Sequence, residues 1–227
     1  NGLSADLCNP VIAWNGTLIQ LGSLHMSGNN LTVYNGSIAN NLYVRCHYYE
    51  QGYSNTPFRE NVNLVAYGDD LIGSVSPSLQ NFDHITFRDY LLEHGMTFTM
   101  PDKESEATPF LEIDNCDFLK CLNRYDPDLK HNVAQLSEMS IFKSLHSVLQ
   151  SKVLSKEEAA GQNIDGALRE WFFHGREKFD LRQRQMRQVV RMTGLHNHVM
   201  ELEKTFDERV HDWKKKYYPA ECSTHEI

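Results

Sequence analysis

Apolar positions in the first half of the chain come in short runs broken by Asn, Gly and charge. Val11 to Leu24 mixes strand and turn character, and Asn15-Gly16 within it has the composition of a tight turn, since both residues tolerate a positive φ. After a Ser27-Gly28 loop, Leu31, Tyr34, Ile38 and Leu42 recur at helical spacing, which predicts a helix with that face buried. Thr32, Gly36 and Asn40 fall at i, i+4 and i+8 and give the same helix a small, polar second face, suited to a ligand or a close backbone. Gln51 to Pro57 reads as a loop. Two short apolar segments then flank Gly68-Asp69-Asp70 between Asn63 and Val75, the pattern of a β-hairpin with carboxylates at its turn. Asn81-Phe82-Asp83 opens a predicted helix running to His94, which Gly95 is placed to end. Thr97 to Met100 reads as extended, and Phe110 to Asn123 as strand, turn and strand.

From Ser137 the character changes to helices. Ala167 to Arg191 and Val199 to Tyr217 carry periodic apolar residues, among them Leu168, Trp171, Phe172, Leu202, Phe206 and Trp213, within dense charge. The change of pattern predicts a boundary near Asp126-Pro127. No internal repeat is visible.

The 227 residues are 41% hydrophobic, enough for one medium domain or two small ones with real cores. No run approaches the roughly 18 apolar residues that a membrane span needs. The first residues lack a secretory pattern and no Met begins them, so the chain is expected to be cut from something longer. Cys8, Cys46, Cys116, Cys121 and Cys222 make no closely spaced zinc or redox pair and read as reduced. A net charge of -8 argues against nucleic acid when taken whole. The charge is uneven, however: residues 1–150 hold 8 basic and 17 acidic side chains, and residues 151–227 hold 14 and 13. The acidic part suits cations.

Tyr67-Gly68-Asp69-Asp70 is the strongest chemical signal. Successive strand residues point to opposite faces, so only a turn aims adjacent carboxylates near one site, and a hard divalent cation accounts for both. An Asp-containing hairpin turn with no such role is the plain alternative. Ser27-Gly28 with Thr32 and Asn40 offers hydroxyl and amide groups suited to a ribose, or else a capped helix with a solvated face. Lys103, in Thr97-Phe-Thr-Met-Pro-Asp-Lys103, is a candidate proton donor, although a lone surface Lys is far commoner.

Taken in order, Ser-Gly-x-x-x-Thr with a downstream Asn, Tyr-Gly-Asp-Asp, Gly-x-Thr-x-Thr-x-x-Asp-Lys and Phe-Leu-Lys resemble motifs B, C, D and E of positive-strand RNA virus polymerases, over residues 27–121. Ser140-Ile-Phe-Lys-Ser-Leu-His146 and Glu170-Trp-Phe-Phe-His-Gly-Arg-Glu177 are similar to the thumb of picorna-like enzymes of dicistrovirus or marnavirus type. The resemblance implies an α+β fold: a palm over 1–125, built as an antiparallel sheet with packed helices and an RRM-like core, then a mostly helical thumb over 126–227. It implies RNA-templated RNA synthesis from NTPs on a primer 3′-hydroxyl. Asp69 and Asp70 would hold Mg²⁺, with Mn²⁺ able to substitute, and Lys103 would act as general acid. Ser27, Gly28, Thr32, Asn35 and Asn40 would contact the nucleotide, and Phe118, Leu119 and Lys120 the primer. The implied partners are template and primer RNA, NTPs, the fingers and motif A of the same polymerase, and other viral replication proteins. The implied location is host cytoplasm, at membrane-associated replication complexes.

Three departures stand out. The Asn expected four residues after Thr32 is Gly36, with Asn35 one position earlier. Cys121 replaces the basic residue that ends motif E, leaving Arg124 as a stand-in. No motif A precedes residue 27, since Asp6 lacks its pattern, and the chain alone is expected to be inactive. Two other readings remain: a metal-dependent nuclease at His196-Asn197-His198, and an RNA- or partner-binding helical module over residues 151–218 that uses the Arg-rich run Arg176 to Arg191.

Overall fold

Asn15 and Gly16 make the turn their composition predicts. In the computed structural model, which describes residues 9–22, 31–148 and 150–218, they take φ of 49° and 84° between strands β1 (Val11–Trp14) and β2 (Thr17–Gln20), with Trp14 paired to Thr17. The chain separates into two units, one ending at Leu111 and one beginning at Glu112. Ser27 and Gly28 lie outside the described residues, as do Asp6, Cys8 and Cys222.

In the first unit, helix α1 (Thr32–Glu50) runs without interruption. The expected buried face is the wrong one: Tyr34, Ile38 and Leu42 are 67%, 59% and 54% exposed. Val44, His47 and Tyr48 turn inward instead. Gly36, Ser37 and Asn40 meet a neighbouring backbone, and in the rotation that this contact requires the apolar stripe faces outward. Tyr48 is fully buried, packs edge-on against Phe58 and Phe82, and shares a 2.8 Å hydrogen bond with the Thr56 hydroxyl. A short helix α2 (Phe58–Asn61) leads into β3 (Val62–Tyr67), which pairs antiparallel with β4 (Asp70–Val75).

Helix α3 (His84–Glu93) begins and ends as predicted. Asp83 accepts from the Thr86 amide and Thr86 returns a hydroxyl bond, a reciprocal cap at the N-terminus. Gly95 at φ 74° donates to Leu92 O and Met96 N donates to Leu91 O, closing a Schellman motif. Thr97 to Met100 forms no strand among the described residues; Phe98 packs on Phe87 and Met100 is buried, so side chains rather than ladder bonds hold it.

The second unit opens with a three-stranded antiparallel sheet, β5 (Asp117–Phe118), β6 (Cys121–Asp126) and β7 (His131–Leu136). β7 was absent from the sequence expectation. Asp126 and Pro127, where a boundary is expected, lie at the β6–β7 connection. There the fully buried Asp126 carboxylate accepts from the amides of Asp128 and Leu129 and from Arg124 Nη1 at 2.9 Å. Helices follow from Glu138, as predicted: α4 (Glu138–His146), α5 (Lys156–Phe172), α6 (Arg176–Thr193) and α7 (Phe206–Tyr217).

Two expected helices are shorter or divided. The run over 167–191 breaks at Phe173-His174-Gly175, where Gly175 takes φ 87°. The run over 199–217 becomes helical only after Thr205, which caps α7 together with Glu208. Leu168, Trp171, Phe179, Val190 and Phe206 form a nearly dry core, each fully buried large side chain contributing on the order of 1.5–3 kcal/mol. Seven helices and small antiparallel sheets thus make a mixed α and β fold among the described residues.

At the α5–α6 break, His174 Nε2 donates to Leu136 O (2.8 Å), and Nδ1 accepts from Gln135 Nε2 (3.0 Å). Both bonds suit neutral imidazole. Burial lowers its pKa from 6.5, outweighing the backbone bond to Leu136 and the charge of Glu138, which act the other way. A depressed histidine pKa means that the unfolded chain takes up the proton first as pH falls. Stability is therefore full above about pH 6.5 and declines below it, by at most about 1.4 kcal/mol per pH unit for this one proton. Replacing His174 by Gln is expected to flatten the decline in melting temperature between pH 7 and pH 5; an unchanged slope refutes the assignment.

Candidate active site

Tyr67 pairs with Asp70, so Gly68 and Asp69 alone form the turn between β3 and β4. Gly68 has φ +64° and Asp69 a negative φ, the combination that a type II′ hairpin turn requires, and glycine takes it without strain. Asp69 and Asp70 are both exposed, and Gly68, between Tyr67 and Asp69, is buried. The hairpin therefore presents two carboxylates to solvent, as the sequence predicts.

What holds this turn is helix α1. Gly68 N–H donates to Ser37 Oγ at 2.9 Å, and Asn40 Nδ2 donates to Gly68 O at 2.7 Å. Ser37 Oγ itself donates to Val33 O at 2.7 Å, which turns its lone pair toward Gly68. A Cβ on Gly36 would stand 3.0 Å from Gly68 Cα and carbonyl carbon, so glycine is what lets helix and turn approach this closely. Of the two uses offered by the small polar face, the structure displays the close backbone. Ser37 was not singled out by sequence reasoning; the signal is Gly-Ser-x-x-Asn at i, i+1 and i+4, one side of a helix.

Thr32 opens α1, and Asn35 is exposed on it. Because the helix is regular from Thr32 onward, no local shift brings Asn35 into the position of residue 36. Lys103 is exposed at φ 65° in a turn where its amide donates to Met100 O. The adjacent Asp102 carboxyl lies below its usual range, because it accepts from the backbone and hydroxyl of Ser105 and the amide of Glu104. Among the described residues Lys103 makes no ion pair.

In the second unit, Leu119 and Lys120 form the two-residue turn between Phe118 and Cys121, with φ of 55° and 63°. That is the type I′ pattern, which Asn-Gly adopts readily and which costs ordinary side chains on the order of 1 kcal/mol each. Replacing Leu119-Lys120 by Asn-Gly is expected to stabilise the protein by about 1 kcal/mol or more in denaturant titration; a loss of stability refutes the strain. Arg124 is engaged elsewhere, bonded to Asp126 and to Phe173 O at 3.0 Å.

The Arg-rich helix α6 is largely neutralised. Arg182 and Lys178 pair with Glu138, Arg187 with Glu203, and Arg176 with Asp207. This favours a charge-paired helix surface over an RNA grip. His196, Asn197 and His198 lie in a 3-10 turn, Leu195–His198, after the left-handed Gly194 that ends α6. They lie between two helices and not in the strand-strand-helix setting of a nuclease site. No group of three or more His, Cys, Asp or Glu among the described residues is placed to share a metal ion. The donors at the hairpin fit magnesium in kind, being exposed carboxylate oxygens, and in number leave room for substrate phosphates and water. No described helix is long and apolar enough to cross a membrane.

Residues 3–190 match the profile of the viral RNA-dependent RNA polymerase family, and the chain belongs to that family. It is similar to the replicase polyprotein of Drosophila C virus (strain EB), 28% identical over 124 residues, which cover 54% of this chain and 7% of that protein. It is also similar to the RNA1 polyproteins of Broad bean wilt virus 2 (32% over 154 residues; 65% of the chain, 8% of that protein) and Cowpea mosaic virus (strain SB) (31% over 180 residues; 74% and 9%). The expected kinship with picorna-like viruses, dicistroviruses included, is thereby met. The chain spans less than a tenth of the length of these relatives.

Proposed function

We propose that this chain is the part of a viral polymerase that carries the metal-binding hairpin, within an enzyme that makes RNA on an RNA template. The observation that supports the reading most directly is the hairpin itself: two exposed carboxylates at a two-residue turn whose glycine is held by a neighbouring helix. Residues 1–125 form the palm and residues 126–227 the thumb, as the resemblance implies.

Asp69, with Asp70 beside it, would hold Mg²⁺ or Mn²⁺. The metal, when bound, would favour loss of the primer 3′-hydroxyl proton and offset charge on the departing pyrophosphate. Reaction joins the 3′-oxygen to the α-phosphorus and breaks the bond from that phosphorus to pyrophosphate. Lys103 gives its proton to the leaving pyrophosphate. Ser27, Gly28 and Thr32 serve the incoming nucleotide, and Phe118, Leu119 and Lys120 steady the primer end. The rest of the polymerase supplies fingers and motif A, and replication proceeds with other viral proteins on host cytoplasmic membranes.

Primer extension by the full-length polymerase tests the reading. Incorporation should need Mg²⁺ and vanish in Asp69→Ala; a variant that extends primers at the wild-type rate removes Asp69 from catalysis.

A further inference from the structure

A two-residue hairpin turn leaves the N–H and C=O of its first central residue outside the strand ladder. In this protein that residue, Gly68, is buried, and buried backbone groups need partners. Both partners are side chains of α1: Ser37 Oγ accepts from the N–H at 2.9 Å and Asn40 Nδ2 donates to the C=O at 2.7 Å. Gly36 brings the helix close enough for both. The two peptide planes flanking Gly68 are thus fixed from one rigid element, and the second plane leads straight to Asp69.

We infer that Ser37 and Asn40 are positioning residues, which hold the Gly68 peptides and so aim the Asp69 carboxylate. The inference rests on the polymerase reading of the hairpin, and it gives Asn40 a task other than contact with the nucleotide. Neither residue touches the reacting atoms in this account. Their removal leaves the carboxylate present and loosely aimed, and a displacement of about 1 Å at a reacting centre costs on the order of 100-fold in rate.

The test uses the full-length polymerase with Ser37→Ala, Asn40→Ala and the double variant, beside Asp69→Ala. In single-nucleotide addition, the double variant should lose about 10- to 100-fold in kcat, while KM for the NTP and the preference for ribo- over deoxynucleotide stay within about 2-fold. The Mg²⁺ concentration for half-maximal rate should rise several-fold, and Ser37→Thr, which restores the hydroxyl, should recover most of the rate lost by Ser37→Ala. Hydrogen exchange in the peptide containing Gly68 should quicken at least 10-fold in Ser37→Ala, since its amide loses its acceptor. If the Ala variants fail to fold, Asn40→Gln keeps the donor but displaces it by one methylene, and should still lower kcat at unchanged KM.

A rise in KM or a fall in ribose preference at unchanged kcat would overturn the inference in favour of nucleotide contact. Wild-type kinetics in the double variant, with Asp69→Ala inactive, would overturn it while leaving the polymerase reading intact. Full activity in Asp69→Ala would overturn the catalytic reading of the hairpin, and the positioning role with it.

Discussion

If the hairpin serves as proposed, Asp69→Asn in the full-length polymerase should slow nucleotide addition at least about 1000-fold while leaving the melting temperature unchanged, and Asp70→Asn should lose only about 10-fold. The asymmetry is what the resemblance to viral polymerases implies, and the two residues also differ in their place at the turn. Asp69 is its second central residue, beyond the last ladder pair, whereas Asp70 is paired across the hairpin with Tyr67 and belongs to β4. Both substitutions preserve shape, and both positions are exposed, so the stability change should stay within about 0.5 kcal/mol. What the substituted side chain lacks is charge. A neutral amide holds a hard dication poorly, and the charge that develops on the departing pyrophosphate then meets less compensation. Primer extension at saturating NTP, with thermal melting as the folding control, decides the matter. Equal losses at the two positions would make the pair act as one ligand, and a larger loss in Asp70→Asn would reverse the assignment.

Local signals were legible because their causes are local. Asp83, Gly95 and Asn15-Gly16 meet partners within a few residues, and the strands that Gly68 and Asp69 join pair directly across them, so composition alone placed these turns and caps. The hairpin and its exposed carboxylates could be read for the same reason. The face of α1 could not. Its rotation depends on Gly68, 28 residues beyond Asn40 in sequence, and no periodicity within the helix encodes that contact. An apolar stripe at Tyr34, Ile38 and Leu42 predicted burial by hydrophobicity alone, and lost to a polar face with a specific backbone to meet. The break at Phe173–Gly175 was hidden similarly. Apolar periodicity continues on both sides of it, through Trp171, Phe172 and Phe179, while Gly175 turns with φ 87° in the middle. β7 escaped because His131-Asn132-Val133-Ala134-Gln135-Leu136 shows no apolar–polar alternation to mark a strand. At the candidate site, Ser37 was missed because a helical serine is ordinary until the turn that it meets is known.

Gly161→Ala should be the most damaging single-methyl change in the helical unit, lowering stability by more than about 3 kcal/mol. A Cβ at this buried position of α5 would stand 2.0 Å from the carbonyl oxygen of His198 and 2.6 Å from its carbon, far inside contact distance and against backbone rather than a movable side-chain end. The segment cannot simply retreat. One turn further along the same helix, the buried Asp165 carboxylate accepts from the amides of Met200 (3.0 Å) and Glu201 (2.8 Å), pinning the chain just after His198. Moving His198 away therefore strains or breaks two charge-assisted bonds and disturbs Val199 and Leu202, both part of the core. Gly166 in the same helix is the control, since a Cβ there meets nothing within 4 Å. Gly166→Ala should be neutral or stabilise by up to about 1 kcal/mol, through better helix propensity. In thermal melts the two variants should separate by roughly 6 °C or more, on the scale of 2–4 °C per kcal/mol for a protein of this size. Similar melting temperatures for Gly161→Ala and Gly166→Ala would mean that α5 and the turn ending at His198 do not pack this closely.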